Sequence, residues 1–115
     1  MTRKEYLEYC GTIAAAVSDT PFKNDADSVV IRHRDTRKWF GLVMELDGKT
    51  IVDLKCEPME AEFLRSAYTG VIPAYHMNKT HWNTVFLDSD VPDEELKRMT
   101  MNSFMLTSAK GRGKK

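Results

Sequence analysis

The chain has 115 residues, 42% of them hydrophobic and 30% charged. That balance belongs to a folded globular chain of one domain and excludes a disordered one. Seventeen lysines and arginines offset seventeen aspartates and glutamates, which argues against strong whole-molecule attraction to nucleic acid or anionic membrane and leaves room for a local basic patch.

Thr2 and Glu5 have the Thr-x-x-Glu spacing of a capping box. Tyr6, Leu7, Cys10, Ile13, Ala14 and Val17 then recur at helical intervals, which predicts a helix over 3–18 lying on a core. Asp19-Thr20-Pro21 ends it, because the residue before proline disfavours helix, and 22–27 reads as a polar loop. Arg3, Lys4 and Ala14-Ala15-Ala16 faintly echo a signal peptide, but Glu5 and Glu8 interrupt the apolar stretch it requires.

The β-branched run Val29-Val30-Ile31 opens a strand over 29–34. Asp35-Thr36-Arg37 turns the chain into a second strand over 38–46. Asp47-Gly48 is the turn chemistry of a two-residue type I′ hairpin, which needs positive φ at both central positions, and a third strand follows over 49–56. Glu57-Pro58 starts a second helix, with proline in its first turn. Met59, Phe63, Leu64 and Ala67 form its apolar side, and Gly70 is placed as its C-terminal cap. Short strands over 75–77 and 81–87 flank a turn at Asn78-Lys79-Thr80. Pro92 begins the last helix, where Asp93, Glu94 and Glu95 suit the dipole and Leu96, Met99, Ser103 and Leu106 mark one face. Lys110-Gly111-Arg112-Gly113-Lys114-Lys115 is a basic, glycine-rich tail with the composition of a disordered end. The expected organisation is one domain over 1–109 and a tail over 110–115, in the α+β class.

A two-residue turn pairs Leu46 with Lys49, Met44 with Ile51 and Leu42 with Asp53. Strict alternation then puts Trp39, Gly41, Val43, Val52, Leu54 and Cys56 on one face and Phe40, Leu42, Met44 and Ile51 on the other. Both faces are apolar. The expectation is that helices cover one and that the last two strands or the tail cover part of the other. The alternative is a surface for a protein partner.

Cys10 and Cys56 stand outside any C-x-x-C pair and read as packed, reduced thiols. No apolar run reaches membrane-spanning length. The expected location is therefore the cytoplasm, with no membrane partner and a monomeric state. His76 and His81 lie five apart across a turn, and the segment between them holds no cysteine or acid, too few ligands for a metal site. No serine has nucleophile-elbow context, and no glycine-rich phosphate loop is present. The reading is a non-enzyme without cofactor or metal.

Two cationic clusters remain. Arg34, Arg37 and Lys38, with Arg32 and His33, surround the first strand turn. His76, Asn78, Lys79 and His81 surround the second, beside Trp82 and Asn83. Cations neutralise phosphates and an indole stacks on a base, so these residues are the candidate nucleic-acid contacts. The competing reading is a solvated face whose charges pair with Asp35, Glu45 or Asp53, with Trp82 in the core.

The run from Val71 to Val85, with His76-Met77-Asn78-Lys79-Thr80-His81-Trp82-Asn83 at its centre, resembles the signature of the MmcQ/YjbR family. Leu54-Lys55-Cys56-Glu57-Pro58 resembles that family's Leu-Lys-Cys-Asp-Pro, Val91-Pro92-Asp93-Glu94-Glu95-Leu96 its lead into the last helix, and Ser103-Phe104 its Ser-Tyr pair. The resemblance spans nearly the whole chain. It implies an α-β(3)-α-β(2)-α fold with an antiparallel sheet, similar to type III secretion chaperones and compared with the CyaY-like fold. It also implies a DNA-binding label with a double-wing arrangement, and it brings no catalytic residues. Glu57 stands where the family has Asp, a weaker helix cap, and Phe104 where it has Tyr.

Overall fold

The computed structural model describes residues 1–108; the expected tail and its domain boundary lie outside them. The elements are α1 (Arg3–Gly11), β1 (Ala16–Asp19), β2 (Val29–His33), β3 (Trp39–Leu46), β4 (Lys49–Lys55), α2 (Pro58–Ala67), β5 (Val71–Pro73), β6 (Trp82–Phe86) and α3 (Asp93–Thr107). All strands join one antiparallel sheet in the order β1-β2-β3-β4-β6-β5. The α+β class and the antiparallel sheet are as the sequence implies. The order is α-β(4)-α-β(2)-α, one strand more than expected.

The extra strand comes from the segment expected to continue the first helix. The capping box forms: the Glu5 N–H donates to Thr2 Oγ1 at 3.1 Å and the Thr2 N–H to Glu5 Oε1 at 2.9 Å. The helix then stops at Gly11, where the Thr12 hydroxyl donates to the Tyr9 carbonyl at 2.7 Å. Ala16–Asp19 instead pairs with β2. Alanine's helix preference is a small bias that tertiary pairing overrides, and β2 would otherwise expose a row of unpaired backbone groups. Arg32 fastens the new strand by donating to both carboxylate oxygens of Asp19.

The expected strand over 75–77 is also displaced. Pairing with β6 falls on Val71–Pro73, whose β-branched residues suit a strand and whose proline is tolerated at a sheet edge. Residues 74–81 become a loop. Gly70 is not a left-handed helix cap, since the helix ends two residues earlier at Tyr68. Glycine is required there by close approach, because a Cβ would lie 2.1 Å from Ser89 Oγ.

The β3–β4 register is as expected, from Leu46↔Lys49 to Leu42↔Asp53, and Asp47 and Gly48 both have positive φ, 52° and 79°. The face assignment fails at one point. Ile31 pairs with Gly41 but Arg32 with Trp39, so Phe40 is the extra residue of a β-bulge. The bulge sends Phe40 to the helix face and Trp39 to the other, the reverse of strict alternation. Ser103 of α3 repairs the ladder: its hydroxyl donates to the Phe40 carbonyl at 2.6 Å and accepts from the Lys55 N–H at 2.9 Å.

Helices cover one face, burying Tyr6, Phe40, Val43, Val52, Leu64, Val85 and Leu96. Cys10 and Cys56 are buried here and free, and burial raises their thiols to about 12 and about 11. The other face holds Val30, Leu42, Met44 and Ile51, with Trp39, Leu46, Met77 and Phe86 packed around them. The last two strands extend the sheet rather than cover this face. Loops 20–28 and 74–81 fold over it instead, placing Phe22 edge-on to Trp39 with centroids 6.0 Å apart. No helix among the described residues is long and apolar enough to cross a membrane.

Candidate nucleic-acid interface

The register places both cationic clusters at the same end of the sheet. Ile31, Gly41, Leu54 and Asn83 form one row across β2, β3, β4 and β6. Beyond that row lie the 34–38 turn, Lys55 at the end of β4, and the 74–81 loop that feeds β6. The turn and the loop are two strand spacings apart, roughly 10 Å. Arg34, Arg37, Lys38, His76, Asn78, Lys79 and His81 are all exposed, and Trp82 and Lys55 are half-buried.

The opposite end is acidic. Glu45 precedes and Asp47 forms part of the β3–β4 turn, and Asp88, Asp90, Asp93, Glu94 and Glu95 follow β6 into α3. Asp90 accepts from the Thr69 and Gly70 N–H groups at 2.9 and 2.8 Å, bonds that hold its carboxyl below the usual range. Zero net charge therefore conceals a separation of charge along the strands. The separation is incomplete: Asp35 and Glu57 lie at the cationic end, and Arg37 approaches Asp19 at 4.0 Å. At the acidic end Lys49 is exposed, and Glu45, Asp93, Glu94 and Glu95 pair with Arg3, the N-terminus, Lys97 and Arg98.

The 34–38 turn owes its form to local bonds. The Arg37 N–H donates to the His33 carbonyl at 3.0 Å, the His33 N–H to Lys38 at 2.9 Å, and Arg34 Nη2 to Ala14 at 3.3 Å. Arg37 adopts φ 67°, a left-handed conformation that strains a non-glycine residue. His33, expected among the surface cations, is buried on the helix face. It stacks on Phe104 at 4.3 Å and hydrogen-bonds Thr107 Oγ1 at 2.8 Å, and burial lowers its pKa.

The residues of the 76–83 run divide into those that build the loop and those that face outward. Asn78 Oδ1 accepts the Thr80 and His81 N–H groups at 2.9 and 3.2 Å. Lys79 Nζ donates to the Ala74 carbonyl at 2.8 Å. Asn83 is buried, with its Oδ1 accepting from Arg65 Nε at 2.7 Å. Arg65 also donates to the Lys79 and Trp82 carbonyls, so one guanidinium from α2 ties down the loop's second half. His76, His81 and half-buried Trp82 remain at the surface, and so does Lys79, whose ammonium keeps donors to spare beyond its bond to Ala74. Trp82 belongs to neither buried cluster, so the core role considered for it does not hold.

The sequence does not single out Arg65, and it offers Asp53 only as a partner for surface cations, whereas Asp53 is buried against Thr84. Arg65 carries no local signal, because its partners are carbonyls of a distant loop. Asp53 carries one, as a lone acid within the apolar run Ile51-Val52-Asp53-Leu54. It is fully buried on the helix-free face, where Oδ1 accepts the Thr84 hydroxyl and Oδ2 has no partner. Burial raises its carboxyl, opposed by the Thr84 bond, the His76 N–H and the Lys79 charge. Thr84 in turn accepts the Tyr75 N–H at 2.8 Å, so Asp53 and Thr84 anchor the loop's first half. Among the described residues, no three His, Cys, Asp or Glu groups converge on a metal-sized site.

A family model described as YjbR matches residues 12–106. The protein YjbR of Escherichia coli strain K12, whose name carries the word uncharacterized, is 36% identical over 96 residues, covering 84% of this chain and 78% of that one. YyaQ of Bacillus subtilis strain 168, named in the same way, is 30% identical over 117 residues, covering 93% and 98%. A crystal structure from Pseudomonas syringae superposes with a TM-score of 0.88 at 32% identity, covering 94% of this chain and all of that one. One from Deinococcus radiodurans gives 0.81 at 30%, covering 96% and 80%.

Proposed function

The chain belongs to the YjbR family, and from that premise we propose that it is a non-catalytic nucleic-acid-binding protein that docks through the cationic end of its sheet. The observation that carries the reading is the placement of the 34–38 turn and the 74–81 loop side by side, with the acidic groups at the far end. An approaching strand meets Arg34, Arg37, Lys38, Lys55 and Lys79 first, which neutralise phosphates, and the open side of Trp82 offers a ring for stacking. The acidic end repels the same strand, so docking has one orientation. Zero net charge keeps the interaction weak and short-ranged.

Titration of labelled duplex and single strand at low salt tests this. The full chain and a chain ended at Ala109 are compared, so that the basic tail is separated from the interface. The expected result is binding by both, with log K falling linearly against log salt at a slope of about −2 to −4, as for a few displaced counterions. Binding by the full chain alone assigns the effect to the tail and overturns the proposal.

A further inference from the structure

The helix-free face carries a cavity of about 380 Å3 between the two loops that fold over it. That volume lies within the range of small-ligand sites, roughly 300–1,000 Å3. Leu42 and Met44 of β3 form its floor, Met77 closes it from the 74–81 loop, and Trp39 and Phe22 supply aromatic wall. Trp39 is there only because the bulge at Phe40 turns it out of the helix face.

Polar groups are few. Asp25 reaches the cavity from the 20–28 loop; its Oδ1 accepts the Asp27 N–H at 3.2 Å and its Oδ2 the Ser28 hydroxyl at 2.6 Å. Each oxygen of an ionised carboxylate has room for a further donor. The site therefore favours a ring with an exocyclic amino group over uracil, whose single ring N–H sits between two carbonyl oxygens that a carboxylate repels. His76 lines the opposite side, where either ring nitrogen can meet a heteroatom.

The cavity walls are continuous with the cationic loops. Trp39 directly follows Arg37-Lys38, and His76-Met77 lies two residues before Lys79. A ligand with a planar heteroaromatic body in the cavity has its anionic group directed toward those cations. We propose that the cavity receives one unpaired nucleobase carrying an exocyclic amino group, either from a free nucleotide or from a single strand. The ring lies against Trp39 and its amino group donates to Asp25. This rests on the nucleic-acid reading above and adds a base-selective site to a phosphate-contacting one.

The full chain with Trp82→Phe leaves Trp39 as its only indole and reports nucleotide binding, while strand binding is measured on the unaltered full chain. Adenosine, cytidine and uridine monophosphates are titrated, together with a short oligocytidylate and an abasic strand of equal phosphate count. The expected result is saturable quenching by the adenosine and cytidine nucleotides. Uridine monophosphate binds about three- to tenfold more weakly, a preference that Asp25→Ala abolishes, as one hydrogen bond is worth. The oligocytidylate outcompetes the abasic strand. Equal binding of the two strands without nucleotide quenching overturns the cavity proposal and leaves the phosphate interface standing. Nucleotide quenching without strand binding does the reverse. Silence from every probe overturns both, and equal quenching by the uridine and cytidine nucleotides overturns the base selection.

Discussion

The two ends of the sheet solve the same connection problem in different ways. At the acidic end, β3 passes into β4 through Asp47 and Gly48 alone, with backbone dihedrals supplied by turn chemistry. At the cationic end, the 34–38 turn strains Arg37, β3 carries a bulge, and the 74–81 loop is fastened by side chains from three elements: Arg65, Asp53 and Thr84. A backbone-defined end is legible and inert. An end assembled from long-range side-chain bonds holds its outward groups in fixed positions, as a binding surface requires.

The sharpest way to break the comparison is at Ser103. Its hydroxyl bridges the Phe40 carbonyl and the Lys55 N–H across the bulge, so Ser103→Ala leaves two buried backbone groups unpaired. The expected loss is about 2–4 kcal/mol, read as a lower denaturant midpoint with unchanged slope. A loss under about 0.5 kcal/mol means that the bulge needs no bridge.

Gly48→Val probes the other end, where it forces a β-branched residue into positive φ. The expected cost is about 1–3 kcal/mol, with nucleic-acid affinity unchanged because the turn is remote from the cations. A stability effect within experimental error contradicts the turn geometry.

Asp53 gives a pH signature. Its folded carboxyl is raised, mainly by burial, so the folded state holds the proton more tightly than the unfolded chain. Its contribution to stability is present below the unfolded value, about 3.9, and is lost as pH rises through the raised folded value. Wild type should therefore gain stability relative to Asp53→Asn as pH falls from 7 toward 4. A difference that is flat or of opposite sign shows that the carboxyl is not perturbed by burial.

The smallest expected effect is at Arg37. Glycine tolerates φ 67° without strain but costs entropy in the unfolded chain, so Arg37→Gly should change stability by less than about 1 kcal/mol while weakening strand binding. A large stability loss shows that the Arg37–Asp19 contact matters more than the strain.

These differences explain what the sequence reveals. The capping box at Thr2, the Asp47-Gly48 turn, the β3–β4 register and the proline starts of two helices are local signals, and each appears in the fold. What fails is set from a distance. Ala16–Asp19 leaves the helix because β2 needs a partner, and Trp39 and Phe40 exchange faces at a bulge that alternation does not register. Residues 75–77 become loop because Val71–Pro73 takes the place beside β6. The charged site residues are visible as types, but their meeting at one sheet end depends on strand order, and Arg65 shows its role only once α2 is placed beside the loop.

Charge reversal at each end in turn tests the central claim most directly. Lys79→Glu with Arg37→Glu alters the cationic end, and Glu94→Lys with Glu95→Lys the acidic end. Each is measured against one labelled strand at fixed low salt with the chain ended at Ala109. The account predicts that the first pair lowers affinity by about tenfold or more, as expected from losing two phosphate contacts and adding two repulsions, while the second pair raises it slightly or leaves it unchanged. Equal responses from the two ends, or no loss from the first pair, contradict the assignment of binding to the cationic end.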